Sequence, residues 1–412
     1  MNKPARPVHA PMEQFPVLDD SLVVGGIPLA ELARRVGRTP FYAYDRRLIS
    51  ERVERLRAHL PRQVHLHYAM KANPMPEVVA HVARLVDGLD VASAGELKIA
   101  LEAGARADTI SFAGPGKTDA ELEAALAAGI VVNLESEGEM ERLAAIASRR
   151  GARARVNVRV NPDFELKSSG MKMGGGPKPF GVDAERVPAM LHRIGELALE
   201  FQGFHIFSGA QNLRADAIAE AQRKTLELAL RLAQDAPDPV RILNIGGGFG
   251  IPYFPGDERL DLALVGRNLA AILQGLEARL PAAQVVLELG RFIVGEAGIY
   301  VCRVIDRKIS RGHCFLVTDG GLHHHLAASG NFGQFVRKNY PVVVGNRVRG
   351  REREIASVVG PLCTPLDLLA ESMELARADV GDLIAVFQSG AYGLSASPTA
   401  FLSHPKPAEV LV

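Results

Sequence analysis

Between residues 45 and 290 one local pattern repeats eight times, and that repeat limits the architecture more than any other feature of the chain. A short β-rich run leads into a polar or glycine-rich turn, and an amphipathic helical stretch follows. The runs are Val64–Tyr68, Gly88–Val91, Thr109–Phe112, Ile130–Asn133, Arg155–Val160, Phe201–Ile206, Ile242–Ile245 and Val285–Leu287. Helical stretches such as Pro76–Leu85, Glu96–Ala103, Asp119–Ala128, Glu137–Arg149, Arg186–Ile194, Asp216–Ala233 and Leu262–Leu280 lie between them. Two open on a capping-box pattern, Thr118-x-x-Glu121 and Ser136-x-x-Glu139, where hydroxyl and carboxylate satisfy free amide donors. Strand–helix alternation implies parallel pairing. Eight units predict a closed (β/α)8 barrel, with an open doubly wound sheet as the competing α/β arrangement.

After residue 291 the texture changes. Val-, Ile- and Tyr-rich segments (Ile299–Ile305, Cys314–Thr318, Val342–Val344, Ile355–Val359, Leu383–Phe387) are separated by Gly, Arg-Gly and Pro turns. This predicts a mainly β domain over 292–412, joined by an N-terminal segment, 1–44, on either side of a barrel at 45–291. Lys plus Arg is 48 against Asp plus Glu at 47, so the chain has no electrostatic footprint for nucleic acid or an anionic membrane. Met1 to Pro16 lacks the layout of a signal peptide, and no apolar run approaches membrane-spanning length. Three cysteines (Cys302, Cys314, Cys363) have no metal-like spacing, which fits free thiols in a reducing cytoplasm. A small-molecule enzyme suits these properties.

In a (β/α)8 barrel the chemistry sits at the C-terminal strand ends, because the loops there converge on one mouth. The first strand ends in His67-Tyr68-Ala69-Met70-Lys71-Ala72-Asn73-Pro74, and the second at Asp90, followed by Ser93 and Glu96. The fifth presents Arg159 and Asn161, and the sixth His205 and Ser208. The seventh runs into Gly246-Gly247-Gly248 and the eighth into Glu288 and Arg291. Such a mouth suits an anionic, phosphate-bearing ligand. Glycines without Cβ atoms let backbone amides approach a phosphate, and barrels often bind phosphate after strands seven and eight. A plain tight loop is the alternative; a Rossmann motif fails because Ile251-Pro252-Tyr253-Phe254-Pro255 opens no helix. A lysine beside aromatic and apolar neighbours suits imine chemistry, since burial frees the amine as a nucleophile; a surface lysine is the plainer reading.

Together these residues resemble the alanine-racemase-type pyridoxal-5′-phosphate (PLP) enzymes, in their diaminopimelate/ornithine decarboxylase branch. The resemblance runs from about residue 40 to Val412 and rests on seven motifs in order. They are Tyr68-Ala69-Met70-Lys71-Ala72-Asn73, Asp90 to Leu97, His205-x-x-Ser208-Gly209, Gly246–Gly248, Glu288-Leu289-Gly290-Arg291, Gly360-Pro361-Leu362-Cys363 and Gly390-Ala391-Tyr392. The resemblance implies that Lys71 carries PLP and His205 stacks on its ring. It adds Asp90, Arg159, Ser208, Gly247, Gly248, the Glu288–Arg291 segment and Tyr392 as cofactor-binding residues. Glu288 would face the pyridine nitrogen and keep it protonated, which favours decarboxylation over racemisation. Cys363 aligns with a cysteine that the partner subunit supplies to protonate the carbanion, implying a head-to-tail homodimer with shared sites. Arg291, Asp367 and Tyr392 would meet substrate, the last two across the interface. A racemase and a non-catalytic PLP carrier are the other classes on this fold.

The sequence departs from the diaminopimelate pattern at both distal anchors. Thr364 stands where an acidic residue would follow the cysteine, and Gly321 to Gly333, with His323-His324-His325, replaces an Arg-Pro…Tyr segment. A site built for a buried charge loses several kcal/mol when its partner is gone. Cys363-Thr364-Pro365-Leu366-Asp367, the Phe112–Thr118 loop and Phe401-Leu402-Ser403-His404-Pro405 resemble members that act on conjugated amino acids, joined to a citryl group or carrier-protein thioester. The exosortase-associated decarboxylases are among them. A conjugated or carrier-tethered substrate is therefore expected, with a free diaminopimelate, ornithine or lysine decarboxylase as the alternative. The three histidines suggest a polar site wall or structural histidines rather than a metal site, because consecutive residues share a metal poorly. Lys167–Pro179 reads as a mobile flap or an exposed loop, with Lys172 able to meet an anionic end.

Overall fold

The computed structural model describes residues 9–165, 171–172, 174–332, 334 and 337–412. Residues 167–170 and 173 of the expected flap lie outside them, as does the side chain of Lys172. The chain divides into two compact units. One runs Arg52–Ile251 and Arg259–Phe292; the other comprises the chain up to Glu51, Pro252–Glu258 and Ile293–Val412. The short excursion Pro252–Glu258 has no counterpart in the sequence reading.

Phe41–Tyr44 (β1) belongs to the second unit. The first unit carries β2 (Val64–Ala69), β3 (Gly88–Val91), β4 (Ile110–Phe112), β5 (Val131–Leu134), β6 (Ala154–Asn161), β7 (Leu199–Ile206), β8 (Ile242–Gly247) and β9 (Gln284–Leu289). They pair in parallel in the order β6-β7-β8-β9-β2-β3-β4-β5, and β5 pairs back onto β6, so the sheet closes into an eight-stranded barrel. The doubly wound alternative is excluded.

Strands buried on both faces usually read as continuous apolar runs. These alternate instead. In β6 Val156, Val158 and Val160 are buried, while Arg155, Asn157 and Arg159 point the other way. In β9 Val285, Leu287 and Leu289 take the first role and Gln284 and Glu288 the second. The apolar residues face the helices; the polar ones line the barrel.

The helices begin and end where local chemistry dictates. Thr118 and Glu121 form a complete capping box over Asp119–Ala128. At Glu137–Arg149 only half forms. Ser136 accepts from the Glu139 amide, but the Glu139 carboxylate turns away to the Glu135 amide at 2.8 Å and to Lys117 Nζ at 2.9 Å. The expected helix Leu262–Leu280 is two, Leu262–Leu273 and Leu276–Arg279, broken where Gly275 takes φ +78°.

In the second unit β10 (Gly298–Ser310), β11 (His313–Thr318), β12 (Val342–Val344), β13 (Arg353–Val359), β14 (Leu368–Ala376), β15 (Leu383–Val386) and β16 (Ala408–Leu411) build a mainly β sheet. Its order is β12-β15-β10-β11-β13-β14, with β1 antiparallel on β10 and β16 parallel on β1. Phe15, Leu22, Phe41, Ile299, Val301 and Phe387 share its core.

Candidate active site

Lys71 sits on a single 3-10 turn, Met70–Ala72, directly after β2. The hydroxyl of fully buried Tyr68 donates to the Asn73 carbonyl at 2.9 Å. Asn73 Oδ1 accepts from the Met75 amide at 3.1 Å, and the Asn73 amide donates to the Met70 carbonyl at 3.0 Å. So braced, the turn buries Met70 and Ala72 and leaves Lys71 exposed. Gly290 packs against the same place: a Cβ there would lie 2.8 Å from the Ala69 carbonyl.

Glu288 ends β9 facing into the barrel, its side chain 10% exposed. His205 Nε2 lies 3.2 Å from Oε2, and Asn244 Nδ2 donates to the same oxygen at 3.3 Å. Burial pushes this carboxyl up, but the His205 ring and the charges of Lys71 and Arg159 outweigh it and hold it well below the usual range. His205 itself is 3% exposed, and neither ring nitrogen has a well-aligned hydrogen-bond partner among the described residues. Alongside, Gly247 is the register partner of Glu288. A Cβ on Gly247 would meet the Glu288 carbonyl at 2.1 Å, and one on Gly248, whose φ is +69°, would meet the Gly209 carbonyl at 2.0 Å. Only glycine fits either place. Ser208, half-buried, follows β7, and Arg291 opens the helical turn Arg291–Val294. The Leu289 side chain is buried.

Arg159 Nη1 donates to Glu135 Oε1 at 2.6 Å, both side chains at most 10% exposed, and the guanidinium lies 5.1 Å from the Phe180 ring centre. Glu135 also accepts from the amides of Gly114 (2.7 Å) and Gly181 (2.9 Å). Lys117 is buried too, donating to Glu139, the Gly114 carbonyl at 2.6 Å and the Asn133 carbonyl at 3.0 Å. Burial drives its amine down and the Glu139 carboxyl up. The Phe112–Thr118 loop is thus tied inward by its lysine. Asp90, on β3, is buried: Oδ1 accepts from Ser111 Oγ at 2.5 Å and lies 3.3 Å from His67 Nδ1.

The sequence matches the family model described as "Pyridoxal-dependent decarboxylase, pyridoxal binding domain" over residues 46–295. The chain belongs to that family. It is 38% identical to L-glutamyl-[BtrI acyl-carrier protein] decarboxylase of Niallia circulans, covering 90% of this chain and 88% of the relative. It is 29% identical to 2-[(L-alanin-3-ylcarbamoyl)methyl]-2-hydroxybutanedioate decarboxylase of Staphylococcus aureus, covering 89% and 92%. The crystal structure of Helicobacter pylori diaminopimelate decarboxylase complexed with L-lysine superposes with a TM-score of 0.83 at 30% identity, covering 93% and 94%. As a family member the protein is a PLP-dependent carboxy-lyase. The residues present fit the cofactor: a side-chain-free glycine cradle, an ionised carboxylate, and a buried imidazole whose nitrogens are otherwise unsatisfied.

The other candidate residues lie in the β unit. Cys363 is exposed, whereas Cys302 and Cys314 are buried, with burial pushing both thiols up. Tyr392 is half-buried with φ +53°, a conformation a tyrosine adopts only under local constraint. Asp367 is buried and occupied by its own backbone: its oxygens accept from the amides of Leu322 (2.6 Å) and Leu362 (2.8 Å). A Cβ on Gly321 or Gly360 would come within 2.3 Å of that carboxylate, so Asp367 clamps the two turns flanking His323 and Cys363.

The histidine run is a buried cluster of neutral rings. The Ala328 amide donates to His325 Nδ1 at 3.2 Å, so Nε2 carries the proton and lies 2.9 Å from Ser389 Oγ. His324 Nε2 faces the Pro405 carbonyl at 2.9 Å and Nδ1 the Tyr300 hydroxyl at 3.1 Å. Burial lowers His323 to about 3, His324 to about 4 and His325 to about 3. Among the described residues no group of three or more His, Cys, Asp or Glu side chains is placed to hold a metal, and no helix is long and apolar enough to cross a membrane.

Sequence reasoning missed Glu135, Glu139 and Lys117. Glu135 ends β5 as Arg159 follows it on β6, so an acid at the end of the preceding strand was the available signal.

Proposed function

We propose that this enzyme decarboxylates an α-amino acid whose far end is an acyl or carrier-protein conjugate. The observation that carries this reading is the Gly321–Ser329 segment, where three buried, neutral histidines stand in place of a cationic anchor. That segment supplies no cation to pair with a distal carboxylate, whereas an amide- or thioester-linked chain needs none. The carrier-linked glutamyl group in one relative's name and the amide-linked (carbamoyl) amino acid in the other's support a conjugated substrate.

PLP, when bound, supplies the electron sink for the carbanion left as CO2 departs. Lys71 carries it. Gly247, Gly248, Ser208, Gly290 and Arg291 would hold its phosphate through amide and side-chain donors, together with the partner subunit's Tyr392. Glu288 keeps a proton at the pyridine nitrogen because His205, Lys71 and Arg159 hold it ionised. His205 offers the ring a buried apolar face. Cys363, exposed, delivers the proton that replaces CO2 on Cα.

That last role requires a second copy of the chain. Leu366 (57% exposed) and Phe332 (45%) flank Cys363, the two loops joined by Asn331 Nδ2 donating to the Leu366 carbonyl at 3.3 Å. Apolar side chains so exposed beside a reactive thiol suit burial in a homodimer with shared sites. Three free cysteines suit the cytoplasm.

CO2 release by the PLP-loaded protein tests the substrate reading. Free meso-diaminopimelate, lysine and ornithine are expected to give none, and acyl- or carrier-bound amino acids to give steady release. Rapid turnover of any of the three free amino acids makes this an ordinary free-amino-acid decarboxylase.

A further inference from the structure

Polar side chains at the ends of consecutive strands form one row around the candidate site. Arg159 on β6 and His205 on β7 are register partners, and His205 is paired in turn with Asn244 on β8. His205 Nε2 and Asn244 Nδ2 both approach Glu288 Oε2 on β9, at 3.2 and 3.3 Å. At the other end Glu135 follows Leu134, the register partner of Val158, and so comes level with Arg159. The row begins on one carboxylate and ends on another. Burial raises the Glu288 carboxyl; His205, then Lys71 and Arg159, bring it well below its ordinary range, so the arginine's charge is felt at the far end.

Glu135 is too enclosed to meet a ligand itself. Its side chain is 2% exposed, and both oxygens are engaged. Oε1 accepts from Arg159 Nη1 at 2.6 Å and from the Gly114 amide at 2.7 Å, and Oε2 accepts from the Gly181 amide at 2.9 Å. The two amides belong to different loops, so backbone fixes the carboxylate before the arginine reaches it. Lys117 secures the first loop, donating to the Gly114 carbonyl at 2.6 Å. The second is pressed against β6: a Cβ on Gly181, whose φ is +74°, would lie 2.9 Å from the Arg159 carbonyl. The Phe180 ring packs on the guanidinium, its centre 5.1 Å away. A buried ion pair adds little stability over apolar side chains of the same volume. What this one adds is a long, flexible cation held in a single place. Fixing such a side chain beforehand removes its ordering cost from ligand binding.

We propose that Glu135 is a positioning residue of the decarboxylase, acting through Arg159 by holding the guanidinium in the row beside His205 where it serves the cofactor. The inference rests on the reading that Arg159 is a cofactor-binding residue.

A mutant cycle on the PLP-loaded protein tests it. The readouts are the rate of cofactor loss on dialysis, followed by visible absorbance, and the melting temperature at saturating PLP. Glu135→Gln keeps the side chain's size and removes its charge. It is expected to lose cofactor about tenfold faster or more, the effect of one lost hydrogen bond to a charged group. Arg159→Gln is expected to do the same. The double variant strands no charge, so its melting temperature recovers toward wild type, yet it loses cofactor as fast as Arg159→Gln and no faster. Should Glu135→Gln not fold, Glu135→Asp, which draws the charge back by one methylene, is measured against wild type with the same expectation. A double variant that retains cofactor like wild type overturns the proposal, because the pair is then structural only. One that multiplies the two single effects also overturns it, because Glu135 then acts by another route. Wild-type retention in Glu135→Gln with rapid loss in Arg159→Gln overturns the positioning role and leaves the Arg159 reading standing. Wild-type retention in Arg159→Gln overturns that reading and the proposal with it.

Discussion

Glu135→Ala is the substitution for which the structure yields a magnitude. The Glu135 side chain is 2% exposed and that of Arg159 10%, with 2.6 Å between them. Removing the acid strands a buried guanidinium and frees the amides of Gly114 and Gly181. Breaking a buried pair costs about 3–5 kcal/mol, most of it the uncompensated charge. For a unit of this size that is about 6–20 °C of melting temperature. Glu141→Ala is the control. Its bidentate pair with Arg193 is about half exposed on both sides, so its loss costs under about 1 kcal/mol. The pH dependence has a definite sign. Burial raises the Glu135 carboxyl, yet Arg159, Lys117 and the Gly181 amide overcome it and set it below the ordinary 4.5. A depressed folded-state pKa gives stability that is complete above the unfolded value and is lost as pH falls through the folded one. The gap between wild type and Glu135→Ala is therefore full at neutral pH and closes only below about 4.5. Thermal unfolding followed by circular dichroism between pH 4 and 8 measures both features, using ~0.1 M salt to screen surface pairs. A Glu135→Ala protein within about 1 kcal/mol of wild type at neutral pH would refute the claim that this pair is desolvated.

Gly248→Ala places a methyl 2.0 Å from the Gly209 carbonyl on a backbone with φ +69°. The variant is expected to fold yet lose PLP on dialysis, and retention of cofactor at wild-type affinity would remove the glycine cradle from the phosphate site. The shared-site reading is tested by mixing. Lys71→Ala and Cys363→Ala are each expected to be defective, and random reassortment of subunits restores about a quarter of wild-type turnover through the one intact site of each mixed dimer. No recovery on mixing, with subunit exchange shown by mass, places Lys71 and Cys363 of one site in the same chain.

Much of the barrel was legible because its strand–turn–helix period is local. Gly88–Val91, Asp119–Ala128 and Glu137–Arg149 agree with the sequence reading to the residue. What escaped depended on distant partners. Leu368–Ala376, rich in Leu, Ala, Glu and Met, carries helical propensity but pairs antiparallel with β13, where tertiary context decides. Glu139 matched a capping box, yet Lys117, 22 residues earlier, draws its carboxylate away. Asp367, named as a substrate contact only by the family resemblance, has its carboxylate set against the turns at Gly321 and Gly360, an enclosure that depends on residues distant in sequence. The polar lumen was written in the alternation of Val64-His65-Leu66-His67 and Arg155-Val156-Asn157-Val158. Its meaning depended on closure, which turns one face of every strand inward.

Charge is apportioned between the two units in a way that bears on substrate choice. The barrel concentrates His205, Lys71 and Arg159 around one carboxylate, Glu288, that they hold ionised, the equipment for a reaction at Cα whatever the rest of the molecule is. The three histidines of the Gly321–Ser329 segment are buried and neutral, the tautomers of His324 and His325 fixed by Ala328, Ser389, Pro405 and Tyr300. Protonating such a ring to receive a carboxylate means working against values of about 3 to 4, so at neutral pH each costs about 4 kcal/mol or more. An amide or thioester at the same place meets no such penalty. A difference of even about 3 kcal/mol is more than a hundredfold in selection, which is the physical ground on which we propose a far end joined through an amide or thioester.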